Sequence, residues 1–244
     1  MLKKLKGLLR RDPEQFRIPR SVQEVIPIRT VWKSGIFLVG SNRYSRTWQF
    51  SGINYALAGE EDQKSMLLGY SGLLNLCDSN ASTKFSVVTR KLNRRDFEDY
   101  IMIPYANDGH DHYRREYNAM LLEKASHASG MIRDLYITVT VTRKSYKDAE
   151  NYFVRAGAEF TLALSRLGSR CTELDLMDRL RVLHGFYRHG EEADFHFDPA
   201  LSMKLGHSFK DYICPDSFEF DRDHFRMGDR YGRVLFLKDY AAYL

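Results

Sequence analysis

Eight histidines are the first residues to weigh for chemistry. Five of them, His184, His189, His196, His207 and His224, lie in the last quarter of the chain with Asp194, Asp198 and Cys214. Imidazole, carboxylate and thiolate hold zinc, but a zinc site usually presents at least one close ligand pair on a helix or knuckle. His184 and His189 are five residues apart and diverge on a helix. His110 and His112 flank Asp111 at a predicted helix start and could converge only from an extended loop, and Asp108 beside them reads as an N-cap. These histidines read as polar surface and loop residues. A stand-alone metal-dependent enzyme using residues 184–224 is the first alternative function.

Paired acids could do general acid/base work. Glu191 and Glu192 are adjacent, and Asp216, Glu219, Asp221 and Asp223 form a second set. The second set is interleaved with Arg222, Arg226 and Arg230, so a salt-bridged surface hairpin accounts for it better. Phosphate-loop chemistry needs G-x-x-x-x-G-K-[ST], whose amides and lysine cradle the phosphates. The chain has no such run, no G-x-G-x-x-G after a strand and no H-E-x-x-H, and Gly69-Tyr70-Ser71-Gly72 is not a nucleophile elbow. No catalytic residue, cofactor-binding residue or metal ligand is assigned, and the chain as given is not expected to be an enzyme.

Charge directs attention to the N-terminus. The net charge is +5, from 37 Lys and Arg against 32 Asp and Glu. Lys3, Lys4, Lys6, Arg10 and Arg11 supply five cations without an acid; the remaining 32 bases equal the 32 acids. The body is neutral, so direct nucleic-acid binding by it is not expected; a nucleic-acid adaptor using the basic arm is the second alternative. Leu2, Leu5, Leu8 and Leu9 fall within one helical arc of about 120°, opposite the five cations. This is the profile of a helix on an anionic membrane surface, where each cation contributes about 1 kcal/mol and each buried leucine up to about 1.5–3 kcal/mol, before ordering costs. The nine residues Leu2, Lys3, Lys4, Leu5, Lys6, Leu8, Leu9, Arg10 and Arg11 are the candidate membrane or partner contact. A frayed terminus, or a helix packed on a neighbouring subunit, is the competing account.

A chain of 244 residues, 43% hydrophobic and 28% charged, has room for one large domain or one and a half. No apolar run approaches the roughly 20 residues that span a bilayer, and lysines interrupt the leading leucines, so no signal peptide is read. Cys77, Cys171 and Cys214 are odd in number and widely spaced, in keeping with a reducing compartment. The expected location is cytoplasmic, peripheral at the inner face of the cell membrane.

The elements that must position these residues centre on Arg133 to Gly190. Leu135, Ile137, Val139 and Val141 alternate with Tyr136, Thr138, Thr140 and Thr142, predicting a strand with an apolar core face and an open, flat threonine face. Ser145 and Asp148 form a potential capping box before a helix whose stripe is Ala149, Tyr152, Phe153, Ala156, Phe160, Ala163, Leu164 and Leu167, ended by Gly168. A short strand, 170–174, and a helix from an Asp175/Asp178 cap to Gly190 follow, the latter carrying Leu176, Leu180, Leu183 and Tyr187.

Upstream, Pro13, Pro19 and Pro27 mark a linker to about Thr30. Strands are predicted at 35–40 and 45–50, the second with Trp48 and Phe50 on one face. A helix opening on Glu60, Glu61 and Asp62 has Met66, Leu67, Tyr70, Leu73, Leu74 and Cys77 as its stripe. A strand follows at 83–91, then an ambiguous stretch at 97–103. A helix from Asp108 to about Ala128 turns Tyr113, Tyr117, Met120 and Leu121 inward. Downstream, 191–216 reads as loop, 217–220 and 224–227 as extended, 228–232 as a turn, and Arg233–Lys238 as a strand covered on both faces. The order predicts an α+β, two-layer sandwich of ferredoxin-like βαβ halves with an extra connecting helix and a C-terminal β-hairpin. The segmentation is 1–30 basic segment and linker, 31–190 core domain, and 191–244 loop and hairpin.

Several runs resemble a family. Ile213-Cys214-Pro215-Asp216-Ser217-Phe218-Glu219-Phe220, Asp223-His224-Phe225-Arg226-Met227-Gly228 and Arg230-Tyr231-Gly232-Arg233-Val234-Leu235-Phe236-Leu237 are similar to the end of the N-terminal domain of conjugative-transfer ATPases. These are the CagE/TrbE-type ATPases of type IV secretion, in the version carried by mobile elements of Gram-positive bacteria. Ile53-Asn54-Tyr55, Tyr113-Arg114-Arg115-Glu116-Tyr117-Asn118 and Leu183-His184-Gly185-Phe186-Tyr187-Arg188 resemble that version too, so the likeness runs from about Arg20 to the end. It implies a non-catalytic docking domain ahead of a RecA-like motor that uses ATP and Mg to drive DNA or protein transfer. The implied partners are inner-membrane components of a conjugation channel, with homo-oligomerisation through the motor. The motor's Walker motifs are not in these 244 residues, so no nucleotide-binding residue is carried over, and an apolar strand at 233–238 fits a continuation into a further domain.

Overall fold

A computed structural model describes residues 19–91, 101–127 and 131–237. The candidate contact residues Leu2 to Arg11 and most of the ambiguous 97–103 stretch lie outside them. The chain forms two compact units, one taking the chain up to Ser41 together with the chain from Asp175 on, the other Asn42–Leu174. The units therefore change at 41/42 and 174/175, rather than at the expected 30 and 190.

The first unit opens with Ser21 capping a one-turn helix, α1 (Val22–Val25). The antiparallel hairpin of β1 (Thr30–Val31) and β2 (Phe37–Gly40) follows. The described part of the stretch expected as a linker, from Pro19 on, is packed instead. Ile26 and Ile28 are buried with Phe37, because apolar residues at 22, 26 and 28 give this Pro-flanked segment one side to bury. The Lys210 ammonium fixes it by donating to the Gln23 and Ile26 carbonyls at 2.7 and 2.8 Å.

The second unit carries β3 (Arg43–Phe50), α2 (Glu60–Leu74), β4 (Ser82–Lys91), α3 (Asp111–His127), β5 (Met131–Thr142), α4 (Tyr146–Arg166) and β6 (Cys171–Glu173). Its strands run β6-β3-β5-β4, every neighbouring pair antiparallel. Fourth-first-third-second is the ferredoxin-like order, and α3 is the extra connection between the halves. The fold is α+β.

The core of this unit follows the predicted periodicities. Ser145 accepts from the Asp148 N–H and caps α4, whose buried positions are Ala149, Tyr152, Phe153, Ala156, Gly157, Phe160 and Leu164. Ile137, Val139 and Val141 face it from the central strand and are fully buried. Trp48 packs between them, its ring 5.2 Å from Phe160 and 6.2 Å from Phe153. A Cβ on Gly157 would stand 3.1 Å from the Trp48 indole nitrogen and 3.1 Å from a Glu173 oxygen, so glycine sets how closely α4 approaches the sheet.

Three expectations fail here, each for a packing reason. The threonine face is not an open platform: Tyr136, Ser45 and Thr47 are buried, and the Thr47 and Thr138 hydroxyls bond each other at 2.9 Å across the strands. Mutual satisfaction of these short polar groups lets the strand's second face be partly covered, with Thr138 and Thr140 half-buried and Thr142 exposed. On α3, Tyr113, Tyr117 and Met120 are exposed and Asn118 is the buried residue. The helix is held by two hydrogen bonds between the Asn118 side chain and the Ile103 backbone, both at 2.9 Å, and not by an apolar stripe. On α2, Leu73 is buried while Leu67 and Leu74 are exposed.

From Asp175 the chain returns to the first unit. A complete capping box between Asp175 and Asp178 starts α5 (Leu176–Tyr187), whose Leu176 and Leu180 join Ile26, Ile28, Phe37, Ile213 and Cys214 in one cluster. Arg179 lies buried over the Phe37 ring at 3.9 Å and donates to the Gly35 carbonyl at 2.7 Å. The 191–216 stretch, read as loop, contains α6 (Pro199–Leu205), capped by Asp198 and closed by Gly206 in the left-handed region. The terminal sheet has three strands, β7 (Phe218–Phe220), β8 (Phe225–Met227) and β9 (Arg230–Gly232). The predicted turn at 228–232 is thus largely a strand. The predicted strand at 233–238 is not formed at 233–237, where Val234, Leu235, Phe236 and Leu237 are 67–85% exposed. Pairing begins as soon as Gly228 turns the chain, and it is used up before the apolar run is reached.

Replacing Trp48 by alanine should cost about 3–5 kcal/mol, and Gly157→Leu about 1–3 kcal/mol through overpacking. Urea unfolding followed by circular dichroism measures both; Val154→Ala, an exposed α4 position, should shift the midpoint little. Equal midpoints for all three variants would contradict this packing.

Candidate functional site

Among the described residues of the first unit, a cleft of about 330 Å³ lies at the C-terminal end of α5. Arg188, at the helix C-cap, builds it. Its Nε donates to Glu191 at 2.6 Å, and Nη1 donates to the Cys214 carbonyl at 2.8 Å and to Asp216 at 3.1 Å. One guanidinium fork thus joins the end of α5, the following turn and the Cys214-Pro215-Asp216 run, a planar geometry lysine could not reproduce. These two carboxylates hold the guanidinium above its ordinary pKa.

The opposite wall comes from the three-stranded sheet. Arg226 donates to the Gly228 carbonyl at 2.9 Å and pairs with Glu219 at 3.5 Å. Arg230 crosses to Gly190, whose φ of 99° favours glycine and where a Cβ would meet an Arg230 nitrogen at 2.8 Å. Three arginines and three acids, Glu191, Asp216 and Asp229, line the cleft, so it is polar without strong net charge. Such a lining suits positioning and recognition. Among the described residues, no nucleophile is hydrogen-bonded to a base in this cleft.

The histidines singled out in the sequence are dispersed. His189 pairs with Glu192 at 3.2 Å, His207 with Asp211 at 3.7 Å and His224 with Asp223 at 2.9 Å. His196 contacts the Phe195 carbonyl, and His110 and His112 stack on Tyr113. No group of three or more His, Cys, Asp or Glu side chains converges among the described residues. The acid-rich runs form ion pairs as a surface ribbon does: Glu219 with Arg226 and Asp223 with Arg233, but Asp216 with Arg188 outside the ribbon. Asp108 is not the N-cap of α3, which begins at Asp111; it accepts from the His110 N–H and pairs with Arg114, whose charge holds the Asp108 carboxyl far below its ordinary range.

His184 is the exception to exposure. It is buried in α5 with its ring 5.2 Å from Phe195, and its Nδ1 has no hydrogen-bond partner among the described residues. Burial pushes its pKa below the ordinary 6.5, helped by the nearby Arg188 charge and opposed by Glu191, Glu192 and Asp194.

Sequence reasoning identified the run Leu183–Arg188 but gave Arg188 no task. The signal was a lone arginine directly after a capped helix, followed by acids at 191 and 192. Comparison with models of protein families and with curated proteins gives no match to this chain. No helix among the described residues is long and apolar enough to cross a membrane.

Because native His184 resists protonation, the unfolded chain binds more protons as pH falls through 6.5. The contribution of neutral His184 is complete above that pH and is lost on acidification. Between pH 7.5 and 5.5 the wild-type protein should therefore lose more stability than His184→Leu, as urea midpoints at each pH would report. Parallel pH profiles would contradict a buried neutral imidazole.

Proposed function

We propose that this chain is a non-catalytic docking domain of a conjugation, or type IV secretion, ATPase, linking the motor to inner-membrane channel components for DNA or protein transfer. One observation supports the reading most. The runs 183–188, 213–220, 223–228 and 230–237, which resemble that family, each contribute to the Arg188 cleft, the first lying about 25 residues ahead of the other three, while Ile53–Tyr55 and Tyr113–Asn118 lie in the other unit.

In this reading the Asn42–Leu174 sandwich is a rigid platform and the Arg188 cleft fixes the C-terminal ribbon, whose exposed Val234–Leu237 run leads toward the motor. ATP and Mg belong to that motor. The domain works at the inner face of the membrane, with the amphipathic set Leu2, Leu5, Leu8 and Leu9 against Lys3, Lys4, Lys6, Arg10 and Arg11 as the anchor.

Flotation with vesicles containing phosphatidylglycerol tests the anchor. The intact chain should float, and replacing Leu2, Leu5, Leu8 and Leu9 by serine should leave it in the dense fraction, as should about 0.5 M salt, which screens the cations beyond a few Å. Equal flotation of wild type and variant would remove the anchor from the account.

A further inference from the structure

β4 is the outer strand of the Asn42–Leu174 sheet, and among the described residues no strand pairs with its free edge. It is 10 residues long. An edge of that length presents a row of unpaired amides and carbonyls, a template for an added strand.

The helix layer extends over this edge. Gly69 of α2 faces Leu167, just beyond α4, where a Cβ would meet a Leu167 methyl at 2.7 Å. Leu73 is buried, and the Tyr70 ring lies tilted against Phe85 of β4 at 5.7 Å between ring centres. Continuing around the helix by about 100° per residue in the same sense reaches Leu74 and Leu67, on the flank away from α4. Since α4 packs against β3 and β6, that flank overlooks the free edge of β4. Leu67 is 63% exposed, and Val87, two residues from Phe85 and on the same sheet face, is also 63% exposed. Leu67, Tyr70 and Leu74 above, with Phe85 and Val87 beside them, line an apolar slot along that edge.

Charge selects the occupant. β4 carries Lys84, Arg90 and Lys91 and no acid. Arg90 is neutralised by Asp134 at 2.7 Å, whereas Lys84 is exposed on the sheet face opposite α2 with no ion pair among the described residues. Two β4 strands side by side would line up like charges, which is unfavourable. A complementary strand is apolar on the side under α2 and acidic on the other.

We propose that this slot receives an extended segment of a partner protein, its alternate apolar side chains under Leu67, Tyr70 and Leu74 and a carboxylate opposite Lys84. The proposal deepens the docking reading and rests on it for the partner's place in a channel assembly.

The test titrates the full chain with a fluorescent decapeptide of alternating valine and glutamate, followed by anisotropy. Saturable binding is expected, weakened about tenfold or more by Lys84→Glu and by exchanging the peptide's glutamates for lysine, and lost in Leu67→Asp. Both variants alter exposed side chains, and circular dichroism checks that they fold. No saturable binding, or equal binding by Leu67→Asp, would overturn the slot. So would concentration-dependent dimerisation in the ultracentrifuge that Leu67→Asp abolishes, since the occupant would then be a second copy. The vesicle assay separates the two ideas: flotation without peptide binding removes only the slot, and peptide binding without flotation counts against the membrane anchor while leaving the slot standing.

Discussion

The Asn42–Leu174 unit depends on one constraint, the burial of Trp48 in the seam between sheet and α4. A fully buried indole makes one of the largest apolar contributions of any residue type, and here it meets Phe160 edge-on and Phe153 at a tilt. Gly157 is what allows the helix to come that close. The same seam holds Arg46, paired with Glu173 of β6. Burial lowers the Arg46 pKa while the neighbouring Tyr146 and Glu150 oppose that shift, and the guanidinium stays charged. Breaking such a pair on one side is far more costly than removing a surface pair. Helix, first strand and last strand are thereby committed to one geometry.

In the other unit the comparable role falls to polar side chains at the cluster's margin. Arg179 over Phe37, Lys210 on the Gln23 and Ile26 carbonyls, and Arg188 on the Cys214 carbonyl each tie a segment distant in sequence onto a modest apolar cluster. Cations that satisfy carbonyls here do what additional core would do in a larger domain. The arrangement yields an arginine-rich cleft in which Glu191, Asp216 and Asp229 balance Arg188, Arg226 and Arg230. Exposed apolar residues on α2, α3 and 234–237 are the counterpart of that economy.

What the sequence made legible was local chemistry. The Ser145 and Asp175 caps, the stripe of α4 and the alternation of β5 each rest on interactions within a few residues, and they are found where the spacing places them. Periodicity could not say whether an apolar stripe has anything to pack on. Tyr113, Tyr117 and Met120 have helical spacing but remain exposed, because two Asn118 hydrogen bonds and the Arg114 ion pairs hold α3 without them. Val234 to Leu237 read as a buried strand for the same reason, composition without a partner. Conversely, the Asp198-Pro199 start and Gly206 stop of α6 were readable, but seven residues gave no periodic signal to connect them. The Arg188 cleft was invisible because it joins runs about 28 residues apart through a single side chain.

The central claim is that this chain occupies docking sites on a transfer channel on behalf of a motor. The most direct measurement is the frequency of conjugative transfer from donor cells that carry the mobile element and also overproduce this chain alone. Occupied docking sites exclude the intact ATPase, so transfer is predicted to fall by about tenfold or more as the chain exceeds the motor in amount, following simple competition. Unchanged transfer, with the chain folded and abundant at the membrane, would contradict the account.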